Sequence, residues 1–368
     1  MNTGAAEVVV VGGGVVGVSV LYHLALAGCR SAVLLERAEL GSGSTGAAAG
    51  GFRAQFSDPL NIAVALDSNA VFRRFRDTFG VDIGLREVGY LFLLRESDVA
   101  AFRSSTAVQR AAGVPVQWLE PREAARLVPG LATDDLAAAT YCPTDGLATP
   151  QAVVAGYAAA ARGLGATIEQ GRTVRAILTG AGRVTGVRTD SGDLHAPTVI
   201  LTAGVWSPAL AATAGLALPV TPQRRYVYFA DAPPAIGPDC PLTIDFATSL
   251  YFHGERTGLI MGGPWPTAEE LAEPAVRRLP ALADVGIRSQ WSGLYEMSPD
   301  HNAVVGACST PAGLLYATGF SGHGFQQAPT VGRCLAALAL GLAPPLDLSA
   351  LSVQRFGAAA ARPELNLV

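Results

Sequence analysis

The sequence predicts an α/β fold in which a Rossmann-like dinucleotide-binding domain is interleaved with an antiparallel-sheet α+β domain, and three observations carry this. Val8 to Val11 are four consecutive valines, a β-branched run suited to a strand buried on both faces. Gly12-Gly13-Gly14-Val15-Val16-Gly17 follows at once and opens an apolar helical stretch to about Leu26. Residues 218–261, in contrast, carry four short apolar runs (226–229, 242–246, 250–253 and 258–262) that read as an antiparallel sheet.

In the first unit the G-x-G-x-x-G spacing gives each glycine a task. Gly12 permits the tight turn, Gly14 lets backbone approach a pyrophosphate at the helix N-terminus, and Gly17 allows helix and strand to pack closely. Val15 and Val16 start the helix beside that phosphate. The next strand, 32–35, ends at Glu36, placed to hold a ribose 2′-hydroxyl, with Arg37 beside it. The segment 41–51 is almost entirely Gly, Ser, Thr and Ala. Its Ser42, Gly43, Ser44 and Thr45, and its Ala49, Gly50 and Gly51, offer N–H and hydroxyl donors to a diphosphate and an isoalloxazine edge, which points to FAD over NAD.

Further along, a helix is expected at 59–79, a strand at 85–94, a helix at 97–112, a strand at 116–119 and a helix at 121–127. After the turn 141–146 come a helix at 150–164 and strands at 167–169 and 174–177 that return to the nucleotide domain. A hairpin pairs 184–188 with 194–196, a buried strand occupies 199–204, and strands at 303–306 and 314–318 lead through a glycine turn into a last helix at 326–340. The expected division is 1–80, 141–215 and 291–368 for the FAD-binding domain, with 81–140 and 216–290 for the substrate domain.

Composition limits the function classes. The 368 residues suffice for one large or two joined domains with a real core, and half of them are hydrophobic. A net charge of −4 argues against a nucleic-acid surface. Every basic side chain other than histidine is arginine; there is no lysine. The five cysteines are scattered with no C-x-x-C spacing, the first residues lack a basic leader, and no apolar run of spanning length is free of Gly, Pro or charge. A cytoplasmic protein without a membrane span is the resulting expectation.

At this level of detail the chain resembles the D-amino-acid-oxidase-like FAD oxidoreductases, in particular the branch with sarcosine oxidase β-type subunits, glycine oxidases and the β subunits of archaeal-type proline dehydrogenases. The resemblance runs over essentially the whole chain. It is carried by Gly12 to Gly17 with Glu36, Val88-Gly89-Tyr90-Leu91, Pro143-Thr144-Asp145-Gly146, Thr202-Ala203-Gly204, the run Trp291-Ser292-Gly293-Leu294-Tyr295-Glu296-Met297-Ser298-Pro299-Asp300, and Gly319-Phe320-Ser321-Gly322-His323-Gly324-Phe325.

The resemblance implies oxidation of an amino acid or secondary amine to an imine by hydride transfer to flavin N5, with the flavin supplying the chemistry and the protein the orientation and electrostatics. Gly322, His323, Gly324 and Phe325 would aim N–H groups and the positive end of the last helix at the flavin N1/O2 edge. His323 either takes part electronically or packs the turn. Val174 would offer its backbone to the adenine; Ala203, Gly204 and Trp206 would line the nucleotide or flavin, or Trp206 would serve the core alone. Gly293 stands where some relatives tether flavin, so FAD is expected to be non-covalent.

Arg53 is the first choice for the substrate carboxylate, since a guanidinium meets a carboxylate bidentately; the alternative is an electrostatic role toward the flavin. Tyr251, His253 and Tyr295 are the expected pocket-lining donors, with Tyr251 and Tyr295 joining Arg53 and His323 in the catalytic set. Arg224-Arg225 reads as a sheet rim, the alternative being a second anion contact. Ile260 and Gln326 stand where monomeric sarcosine oxidases carry lysines, Gln326 also falling at the expected flavin and substrate site, and this leans toward a dehydrogenase passing electrons to a carrier over an oxidase using O2. A 2-hydroxy-acid dehydrogenase, with His253 or His323 as base, and an electron-transferring subunit of a hetero-oligomer are the competing readings. A partner subunit is thus possible.

Overall fold

The computed structural model describes residues 5–357 and 361–367. The valine strand Val8–Val11 lies inside a six-stranded sheet, between Ala32–Glu36 and Thr198–Leu201 and parallel to both. Leu314–Thr318 extends one side and Thr167–Gln170 the other in parallel; the edge strand Val304–Ala307 is antiparallel. Alternation along the valine run explains its composition. Val8 and Val10 pack into a core shared with the helices, whereas Val9 and Val11 pack into a core beneath a three-stranded antiparallel sheet.

The helical face is formed by Val15–Leu26 flanked by Gly324–Ala339 and Pro150–Gly163. The opposite face is covered by Val174–Gly180, Arg183–Thr189 and Gly192–His195. The hairpin read at 184–196 is present, with Thr189 opposite Gly192. The strand at 174 does not rejoin the main sheet, however. It pairs only with Arg183–Thr189, because an edge place in the main sheet is already taken by Thr167–Gln170.

The second sheet has eight strands in the order Ile287–Met297, Thr221–Ala230, Gly258–Gly263, Leu250–Glu255, Leu242–Asp245, Tyr90–Leu94, Ala138–Cys142, Gln117–Leu119. All neighbours are antiparallel except Leu242–Asp245 with Tyr90–Leu94. Ala138–Cys142 and Ile287–Met297 both belong to it, so the chain crosses between units just after each of them. An α/β architecture with one mainly parallel and one mainly antiparallel sheet is therefore what the sequence folds into.

Two elements are shorter than the sequence suggests. The helix expected at 59–79 is two, Pro59–Arg73 and Phe75–Phe79, broken at Arg74, whose backbone (φ −103°, ψ 8°) leaves the helical region. Its start is as the residues dictate: Asp58 Oδ1 accepts from the Leu60 N–H at 2.8 Å and Pro59 fills the first helical position. The strand read from 85 begins only at Tyr90, because Gly89 turns at φ +84° and a side chain there would collide with the Tyr141 ring, 2.2 Å away.

The C-terminal residues are tied to the domain by buried polar bonds. Asp300, in the Ser298-Pro299-Asp300 run, grips Arg355 through both carboxylate oxygens at 2.7 and 2.8 Å. Glu364, 1% exposed, accepts from the N–H groups of Ser57 and Asp58 and from Asn61 Nδ2. Removing one member of a buried pair strands the other charge, at a cost of about 3–5 kcal/mol. Asp300→Ala is expected to lower the unfolding free energy by about that amount in a urea titration, a larger loss than Arg73→Ala at the half-exposed Arg73–Glu87 pair.

Candidate active site

A cavity of about 530 Å³ runs from the glycine turn, between the two sheets, to the second sheet's inner face. Its dinucleotide end is shaped by glycine where glycine is required. Gly12 adopts φ +108° with the position of a side chain 2.5 Å from the Thr202 carbonyl, and a side chain on Gly17 would strike the Gly12 carbonyl at 1.9 Å. Gly17 accordingly packs helix on turn and stays off the cavity wall, while Gly12, Gly14, Val15 and Val16 line it. The helix starting at Val15 has no side-chain cap of its own; Gly14 is its N-cap, and Thr45 Oγ1 accepts from the Val15 N–H at 3.1 Å. That leaves positive helix-end donors facing the cavity, an anion cradle.

The Glu36 carboxylate is held by two backbone N–H groups, from Gly13 at 2.7 Å and Ala38 at 2.8 Å. Arg37 lies flat on the Trp206 ring, 3.8 Å from its centroid, and Trp206 is 40% exposed, so this tryptophan is a cavity wall and not core. Ser42, Gly43, Ser44, Thr45, Ala49, Gly50, Gly51, Val174, Ala203, Gly204 and Gly293 complete this wall. The Ser44 hydroxyl donates to the Leu294 carbonyl at 2.7 Å, clipping the small-residue loop to the second sheet. An elongated cleft with a helix N-terminus on its wall, a braced carboxylate at one end and small residues along it fits an FAD stretched along its length.

At the far end Gly322, His323, Gly324, Phe325 and Gln326 meet Arg53, Tyr90, Tyr251 and Tyr295. Arg53 is 3% exposed and heavily engaged. Its Nη2 donates to the Asn366 carbonyl at 2.6 Å and to His323 Nε2 at 3.1 Å, its Nη1 donates to the Gln55 carbonyl, and its own N–H donates to Gln326 Oε1 at 2.6 Å. Both two-pronged edges of a guanidinium include Nη2, so neither edge is free here. The expected bidentate contact of Arg53 with a carboxylate is thus not available in this conformation; Nε and one Nη1 proton remain for single bonds. The ring of His323 must accept from Arg53, which makes it neutral with its proton on Nδ1. Burial, with the adjacent Arg53 charge, holds its pKa well below the ordinary value.

Burial also raises the Tyr251 and Tyr295 phenols, so both remain protonated donors. His253, expected in the pocket, is not part of its wall. It is fully buried in the strand Leu250–Glu255, its Nδ1 is 3.2 Å from the Gly254 carbonyl, and burial pushes it down to about 4. The arginine pair at 224–225 is likewise divided. Arg224 stays on the rim, bonded to Ser292 Oγ at 2.8 Å, whereas Arg225, on the same strand face as Val227, faces the cavity. Ile260 does not reach the cavity.

Sequence reasoning gave Tyr90 and Glu296 no site role and favoured the rim for Arg225, which lines the cavity. Tyr90 packs its hydroxyl where any side chain at Gly51 would lie, 1.7 Å from that position. Asp145 and Gln55 explain a motif without entering the cavity: Asp145 accepts from the Ala54 N–H at 2.8 Å and from Gln55 Nε2 at 3.2 Å, fixing the chain that follows Arg53. Glu296 lines the cavity beside Gly204 and accepts from Thr318 Oγ1 at 2.6 Å. A glutamate amid the apolar residues of a strand was the signal for it.

The chain belongs to the FAD dependent oxidoreductase (DAO) family, whose model matches residues 7–338. It is a FAD-dependent oxidoreductase of that class. Among its relatives, the FAD-dependent oxidoreductase domain-containing protein 1 of Xenopus laevis is 31% identical over 99% of this chain and 85% of its own length. The 4-methylaminobutanoate oxidase (formaldehyde-forming) of Paenarthrobacter nicotinovorans is 31% identical over 95% of this chain, which spans only 45% of that enzyme. Among solved structures, L-proline dehydrogenase from P. horikoshii superposes with a TM-score of 0.90 at 30% identity, covering 97% of this chain and 99% of that one. No helix among the described residues is long and apolar enough to cross a membrane.

Burial raises the Glu296 carboxyl to about 7, the Thr318 hydroxyl and the Gly319 and Phe320 N–H groups opposing it only in part. A carboxyl raised on folding stabilises the protein below its unfolded value near 4.5 and loses that contribution as pH rises through about 7. The cofactor-free protein is therefore expected to lose stability over that interval, and Glu296→Gln to reduce the loss, when urea midpoints at pH 5 and pH 8 are compared for both proteins.

Proposed function

We propose that the protein oxidises an amino acid or secondary amine to an imine, in the range of sarcosine-, glycine- or proline-like substrates or a specialised-metabolite amine. The observation that carries this reading is the continuity of the cleft: the dinucleotide cradle opens directly into a chamber walled by Tyr90, Tyr251, Tyr295, Arg53 and Arg225. The relatives support the substrate class, since their names include a methylamino-acid oxidase and L-proline dehydrogenase.

FAD, when bound, supplies the two-electron acceptor. Gly12, Gly14 and Val15 would hold its pyrophosphate, Glu36 its adenosine ribose, and Val174 the adenine. The start of the helix Gly324–Ala339 would place positive dipole at the isoalloxazine edge that gains charge. Arg53 holds His323 neutral and fixed while adding positive charge to the same wall. The protonated Tyr251 and Tyr295 orient the substrate and line its pocket. An amine can enter neutral, so the chamber has no need of a strong base.

A 2-hydroxy acid would need a base for its hydroxyl proton. His253 lies off the cavity wall and the Nε2 of His323 is committed to Arg53, so this alternative receives less support. A dehydrogenase is favoured over an oxidase. With no lysine in the chain, the oxygen-activating cation of monomeric sarcosine oxidases has no direct equivalent, and the Gln326 amide is tied to the Arg53 backbone. Gly293 presents no side chain for a covalent tether, which favours dissociable FAD. An electron carrier or a partner subunit would complete the cycle.

Anaerobic mixing of the holoenzyme with a panel of amines and hydroxy acids tests the reading. Bleaching of the flavin absorbance by amines and not by hydroxy acids is expected. Bleaching by hydroxy acids alone would overturn it. In air, turnover with an artificial electron acceptor is expected to outpace peroxide release.

A further inference from the structure

We infer that Arg225 is the anchor for a carboxylate on the substrate, so that the enzyme acts on amines that carry an acid group and discriminates against plain amines. This rests on the amine-oxidising reading above and deepens it. Two arginines face the chamber, and their states differ. Arg53 has its Nη2 filled by the Asn366 carbonyl and His323, and is locked beneath the Phe56 ring at 4.1 Å. Arg225 has no hydrogen-bond or ion-pair partner among the described residues, although it lines the cavity. A guanidinium facing a largely apolar chamber with five donors unspent is a binding group awaiting an anion.

Its placement on the strand Thr221–Ala230 gives it room. The residue directly opposite on the neighbouring strand is Gly293, which contributes no side chain. The diagonal neighbour on that strand is Tyr295, whose ring centroid lies 5.5 Å from the Arg225 guanidinium carbon. Tyr251 and Tyr295 line the same cavity as Arg225 and Arg53. A carboxylate on Arg225 takes one two-pronged edge of its fork, with the Tyr295 ring beside it, and offsets the repulsion between two guanidinium groups facing one cavity. Val227, Leu242 and Ile244 line the same cavity with apolar surface, which suits the carbon skeleton.

The test compares holoenzymes carrying Arg225→Met and Arg225→Lys with the wild type in anaerobic flavin reduction, using an N-methylamino acid and its uncharged amide. The wild type is expected to prefer the acid, Arg225→Met to weaken its apparent binding by about 30-fold or more while leaving the amide nearly unchanged, and Arg225→Lys to restore part of the loss. Equal reduction of acid and amide by the wild type, or an unchanged affinity for the acid in Arg225→Met, would overturn the assignment. A second readout needs no turnover: benzoate is titrated against each holoenzyme and the shift of the visible flavin spectrum is followed. If no amine reduces the wild-type flavin, the amine reading fails by itself. Benzoate binding lost in Arg225→Met then still supports Arg225 as the anion anchor, and binding unchanged in that variant removes it.

Discussion

The interaction on which the rest of the site depends is the set of bonds around Arg53. Through its backbone N–H it fixes Gln326 on the last helix, through Nη2 it fixes His323 at that helix's start and Asn366 near the C-terminus, and through Nη1 it holds its own loop at Gln55. Segments distant in sequence converge on one buried cation. A charge in such a place is tolerated only with its donors satisfied, and the carbonyl dipoles that satisfy it also define the shape of the chamber floor. Glu364 and Asp145 brace the same region from either side without touching the cavity wall.

From that floor the division of labour between the two sheets becomes clear. The parallel sheet delivers the glycine turn, Glu36 and the Ala203-Gly204 turn from the C-terminal ends of its strands, where dinucleotides meet such sheets. The larger sheet delivers side chains from its inner face, with Arg225, Val227, Tyr251 and Tyr295 on three different strands. One sheet presents mostly turn backbone to the cavity, with the Glu36 carboxylate, and the other presents side chains. Cofactor recognition is therefore general, and specificity is confined to a handful of positions.

This division also decides what could be read from the residues. Glycines that answer to a steric limit are legible, because Gly12 and Gly17 each sit within 2.5 Å or less of backbone that excludes any side chain. The small-residue loop 41–51 and the turn 319–325 were legible for the same reason, and they proved to wall the cleft along its length. The chamber was not. Whether Arg224 or Arg225 faces inward depends on strand register by a single residue, and the sequence pattern of that strand is polar on both faces at this point. His253 has the same parity as Tyr251, yet lies two residues farther along the strand and beyond the cavity wall. Arg53 lines the cavity as expected, but two of its guanidinium partners are the Gln55 and Asn366 carbonyl groups, which no side-chain pattern reveals.

The central claim is that the acid group of the substrate meets Arg225 while Arg53 remains bound to the protein itself. A crystal structure of the holoenzyme with a non-oxidisable carboxylate analogue of the substrate tests it most directly. The account predicts the carboxylate on the Arg225 guanidinium, with Arg53 Nη2 still bonded to the Asn366 carbonyl and His323 Nε2. A carboxylate held two-pronged by Arg53, with those bonds broken and Arg225 turned to solvent, would contradict it.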